Sequence, residues 1–145
     1  LSGAALVTAE KVFGTSSIYF DGHGNSGSPG DGLTISNPDL AFGTGNFTVD
    51  LWVKFDGAPT AVQNMIGNRD ASTNSHYENV WILHIESAGK KFGWNTGATY
   101  LLRGTTTPAD DTWYHVAFVF SQNSQQIFIK TFIKSVRQSQ INISS

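Results

Sequence analysis

The sequence contains no cysteine, so neither a disulfide framework nor a thiolate metal site is available to it. Charged residues make up only 14% of the chain and the formal net charge is −2, which excludes a basic surface for nucleic acid. No apolar run approaches the ~18 residues that a membrane-spanning helix needs, so no membrane insertion is expected. The N-terminal residues form neither a basic n-region nor an apolar h-region. The chain opens on Leu1 rather than methionine, and is read as a processed product or a segment of a longer polypeptide. Long helical patterns are scarce. Glutamate is scarce too, with only Glu10, Glu78 and Glu86.

What the chain has is alternation. In Asn46 to Phe55, the residues Phe47, Val49, Leu51, Val53 and Phe55 are all apolar, and Thr48, Asp50 and Lys54 between them are polar. A period of two across the whole stretch predicts a strand with one buried face. Trp52 is the exception on the polar side. Trp113 to Phe120 repeats the pattern, with Tyr114, Val116, Phe118 and Phe120 on one face. Val80 to Glu86 places Trp81, Leu83 and Ile85 on one face and His84 and Glu86 on the other, and Ser87 to Lys90 reads as a hairpin turn into Lys91 to Asn95. Shorter strands are predicted at Ala5 to Thr8, Ser17 to Phe20, Leu33 to Ile35, Val62 to Gly67 and Tyr100 to Arg103. Ile127 to Ile133 is rich in Ile and Phe and reads as strand, although Ile129, Phe132, Ile133 and Val136 also fit a helical stripe. Turn-dense loops separate these segments, notably His23 to Gly32 and Asn68 to Asn79. With 145 residues, the chain reads as a single all-β domain large enough to bury about 70% of its unfolded surface.

Several stretches resemble the laminin-G-like jelly-roll domains of the concanavalin A-like lectin and glucanase superfamily. SIYFDG (Ser17 to Gly22) and GDGLTI (Gly30 to Ile35) are similar to its opening strands, and LAFGTGNFTVDLWVKF (Leu40 to Phe55) is the most specific match. MIGNRD (Met65 to Asp70) with VWILHI (Val80 to Ile85) resembles its middle hairpin, and DDTWYHVAFVF (Asp110 to Phe120) the strand that follows. The departure is at the end. The family usually continues with a strand, an Asp-Gly turn and further strands, whereas Ile127 to Ser145 holds no Asp-Gly. The resemblance implies a two-sheet antiparallel sandwich with incomplete or altered C-terminal strands. It also implies a non-catalytic recognition role toward glycans, proteins or other surface ligands, at an extracellular, virion or cell surface.

The chemistry narrows this further. Glycoside hydrolysis needs two carboxylates about 5 to 9.5 Å apart across the bond, and no strand here carries an alternating acidic set. Gly22-His23-Gly24-Asn25-Ser26-Gly27 fits G-x-G-x-x-G, but Ser28-Pro29-Gly30 follows and cannot open the helix that a dinucleotide site requires. His23, His76, His84 and His115 show no zinc spacing. Calcium takes six or more oxygen ligands, often from loops. Asp21, Asp31, Asn68 and Asp70 are the candidate ligands, with ordinary use in turns as the competing reading.

Aromatic residues are the better lead, because planar rings stack on the apolar faces of sugars. Trp52 lies beside Asp50 and Lys54, and Trp113 beside His115, each pairing a ring with a polar group as a glycan site does. His76 and Tyr77 on the long loop complete the candidates. The competing reading packs such tryptophans beneath a loop; Trp81 and Trp94 read as core. Asn46 and Asn142 begin N-x-S/T sequons. Three readings follow: a carbohydrate-binding module, a structural element of a viral or cell-surface assembly held by protein contacts or self-association through the C-terminal strand, and a degraded glucanase relative.

Overall fold

A computed structural model of the chain describes residues 3–22, 31–37, 45–68, 81–96, 99–121 and 124–132. The chain forms two compact units, Leu1–Gly43 and Thr44–Ser145. Every described regular element is a β-strand.

In the first unit, β1 (Ala5–Val7) pairs antiparallel with β2 (Ser17–Tyr19). The Asp21 amide donates to Asp31 Oδ2 at 2.6 Å. Gly3 has φ 70, which L side chains rarely adopt, and a Cβ there would have to displace the Asp31 carboxylate. Leu33 to Ile35, expected as a strand, is not one. Two apolar residues around Thr34 offer too little surface to hold a strand against a partner, and Leu33 and Ile35 are indeed exposed.

The second unit holds two antiparallel sheets. The first has the order β3 (Phe47–Lys54), β8 (Trp113–Ser121), β9 (Ser124–Phe132). The second runs β4 (Gln63–Gly67), β5 (Trp81–Ile85), β6 (Phe92–Thr96), β7 (Thr99–Arg103) in sequence order. The two strongest alternating stretches therefore lie side by side, with Val49 opposite Phe118 and Leu51 opposite Val116. The helical alternative for the C-terminal stretch is overturned through Phe132, because β9 pairs with β8 along its whole length. Its β-branched and aromatic content suits a pleated surface. Residues 133–145 lie outside the described residues, as do those of the His23 loop through Gly30 and 69–80.

Aromatic rings join the sheets. Trp94 of β6 stacks on Phe118 of β8 with centroids 3.6 Å apart and planes 4° from parallel. Trp81 stacks on the far side of Trp94 at 5.0 Å, and Phe47 leans on Phe118 at 5.9 Å. A second group unites Phe55, Phe92 and Tyr114. The Tyr114 hydroxyl accepts from the Ala109 amide at 2.8 Å, tying the turn before β8 to the core. That turn is also pinned to the end of β3: the Asp111 amide donates to the Phe55 carbonyl, and the Gly57 amide to Asp110 Oδ1.

The β4–β7 sheet is buried on both faces along β5, because Ile82, His84 and Glu86 are as enclosed as Leu83 and Ile85. Gly93 explains the arrangement. It lies between His84 and Arg103 in the ladder, and the His84 ring takes the place its missing side chain leaves. Arg103 Nε lies 2.9 Å from Glu86 Oε2, an ion pair close in distance but not aligned as a hydrogen bond. Burial lowers the His84 pKa below its ordinary 6.5, with Asn95 and the Glu86 charge pulling the other way.

Two outcomes follow. Phe118→Ala removes the ring that Trp94 stacks on and should cost about 3–5 kcal/mol as a core cavity, read by denaturant unfolding. His84 is held neutral in the fold, so its contribution is fully present above pH 6.5 and is lost as pH falls through the depressed folded value. His84→Gln should flatten that acid-side slope in a pH series of unfolding curves.

Candidate functional site

Alternation that sends Val49, Leu51 and Val53 inward sends Asp50, Trp52 and Lys54 to the opposite face of β3. Register then fixes their neighbours. Asp50 stands opposite Ala117, Trp52 opposite His115 and Lys54 opposite Trp113. On the third strand, Phe128 pairs with Ala117, Lys130 with His115 and Phe132 with Trp113. One face of the β3–β8–β9 sheet thus gathers three of the sequence candidates, Trp52, Trp113 and His115.

The Trp52 and His115 rings stack with centroids 5.0 Å apart and planes 21° from parallel. His115 Nε2 lies 2.8 Å from Asp50 Oδ2, so the imidazole is held from one side by the carboxylate and from the other by the indole. Lys54 Nζ donates to Asp111 Oδ1 at 2.6 Å, extending the polar rim to the turn before β8. Trp52 and Trp113 are half-buried, while Asp50 keeps 58% and His115 32% of its side chain exposed. The face therefore offers ring surface and hydrogen-bonding atoms together. Phe128, which sequence reading missed, joins it with 54% exposure. Only the register of β9 against β8 could have placed it, and no local signal carries that.

The other candidates do not gather there. Asp21 and Asp31 belong to the first unit and are bonded to each other through the Asp21 amide. Asn68 Oδ1 accepts from the Trp81 amide at 2.7 Å, closing the end of the β4–β5 pair. His76, Tyr77 and Asp70 lie outside the described residues. Among the described residues no three His, Asp or Glu side chains come together as metal ligands. A shallow, open depression lined by Asn46, Phe47, Thr48, Val119, Phe120 and Ser121 lies where β3 begins beside the end of β8.

A family model described as the concanavalin A-like lectin/glucanases superfamily matches residues 24–133. The chain belongs to that superfamily. No curated protein and no solved structure matches it. Membership accounts for the antiparallel sheets and for a core built from the stretches Phe47–Lys54, Trp81–Ile85 and Trp113–Ser121, all inside the matched span. A concanavalin A-like domain can serve recognition or hydrolysis, so the site must be argued from its own side chains.

The Asp50–His115 contact is solvent-reached, and such pairs contribute little to folding. A double-mutant cycle with Asp50→Ala and His115→Ala should give a coupling of about 0.2–1 kcal/mol, measured by urea unfolding at neutral pH. A coupling several-fold larger would mean that the pair is structural rather than presented.

Proposed function

We propose that the chain is a non-enzymatic carbohydrate-recognition module that binds a glycan, or a surface displaying one, through the outer face of the β3–β8–β9 sheet. The observation that carries this reading is the Asp50–His115–Trp52 cluster: an exposed carboxylate, an imidazole fixed to it at 2.8 Å and an indole stacked on the imidazole. Rings supply a platform for the C–H face of a sugar, and the carboxylate accepts from its hydroxyls. Superfamily membership supports the same class of ligand. A module of this kind works in adhesion at an extracellular, cell or virion surface.

Hydrolysis is the weaker reading. Glu86 is enclosed and ion-paired with Arg103, and on the site face Asp50 is bonded to His115 with no second carboxylate in its neighbouring rows. One observation favours an assembly role as a second reading. Among the described residues β9 is the outer strand of its sheet, and an open edge invites strand addition by a protein partner or another copy.

A glycan array of the purified chain, run with calcium and with chelator, separates these readings. Carbohydrate recognition predicts binding that Trp52→Ala abolishes while the unfolding midpoint stays nearly unchanged. Loss of binding in chelator alone would move the site to the aspartate-bearing loops. A blank array from folded protein, with an oligomer by light scattering, would favour assembly.

A further inference from the structure

A small residue, Ala117, occupies the centre of the site face. Ala117 stands between Asp50 on one strand and Phe128 on the other. Strands lie about 4.8 Å apart, so these flanking residues are separated by about 10 Å across a single methyl group. On one side the next row holds Trp52 and His115; on the other it holds Thr48 and Val119, which line the shallow depression. By register the gap that so small a residue leaves is flanked by a carboxylate, an imidazole and a phenyl ring, one row from the residues of that depression.

We propose that this gap is the primary sugar subsite and that it selects a neutral pyranose over an anionic one. The proposal rests on the carbohydrate reading above and goes further by naming the subsite and the charge class of its ligand. One pyranose ring fits over the Ala117 methyl with its C–H face toward Phe128, whose ring is 54% exposed. Asp50 uses Oδ2 for His115, and a carboxylate accepts several hydrogen bonds, so Oδ1 can receive a sugar hydroxyl. His115 holds that carboxylate in place, which lowers the ordering cost of binding. An anionic sugar in the same gap sets its own carboxylate against Asp50, where like charge is repulsive and neither oxygen set can donate. By register Lys130 belongs to the adjacent row, opposite His115.

The test titrates the full chain with a panel of neutral methyl hexopyranosides and the corresponding uronates. Neutral sugars should bind and their uronates should not. Ala117→Leu, which fills the gap, and Phe128→Ala, which removes its wall, should each weaken neutral binding by about tenfold or more with the unfolding midpoint retained. Asp50→Asn should admit the uronates. Full affinity in both Ala117→Leu and Phe128→Ala, with loss in Trp52→Ala, would overturn the subsite and leave the carbohydrate reading standing. Equal binding of neutral and anionic sugars would overturn the charge selection. Failure of every glycan to bind folded protein would overturn the carbohydrate reading and the subsite together.

Discussion

The stack of Trp94 on Phe118 is the contact on which the second unit depends. It joins the middle strand of one sheet to an inner strand of the other, with ring planes 4° apart and centroids at 3.6 Å. Both side chains are enclosed, and aromatic residues bury more apolar surface than any other type. Around this contact Phe47 and Trp81 pack from either side, so the core is a column of rings rather than a layer of aliphatic side chains. A column of flat rings tolerates little change in spacing. It holds β8 in one position and, with β8, every residue on its other face.

That dependence links core to site. β8 alternates Tyr114, Val116 and Phe118 inward with Trp113, His115 and Ala117 outward. The inward set is buried, so the outward set inherits a rigid backbone. Sites on sheet strands are held more closely than sites on loops. The Trp52–His115 stack needs β3 and β8 in fixed register, and the register comes from the inward pairs Val49–Phe118 and Leu51–Val116. A slip of one residue would exchange the two faces, putting the core outside and the site within.

Alternation is why so much was legible. A period of two in Phe47 to Phe55 and Trp113 to Phe120 told both that the stretches are strands and which residues face solvent. Trp52, Trp113 and His115 were therefore placed on a polar face before any pairing was known. Pairing itself was not legible. Phe128 enters the site only because β9 aligns it with Ala117, and the His84 ring fits over Gly93 only because β6 pairs beside β5. Such relations are made between strands distant in sequence, so no window of residues contains them. Leu33 to Ile35 shows the converse limit: a single apolar–polar–apolar alternation is too short to distinguish a strand from exposed irregular chain.

The two sheets also divide the chain's polar groups in a way that bears on function. His84 lies on a strand buried on both faces and Glu86 directly follows it; burial holds the imidazole neutral and Arg103 pairs with the carboxylate. Asp50 and His115 form a similar acid–imidazole pair on the other sheet, but with solvent beside them. Buried polar groups of the first kind are costly if left unmatched, and the cost specifies one strand order. Exposed ion pairs of the second kind contribute little to folding, whereas the half-buried Trp52–His115 stack adds ring packing beside the Asp50 contact. The difference lies in water: the buried pair is closed to it, while the Asp50 carboxylate keeps solvent at its side, where hydroxyl groups of similar geometry can replace it.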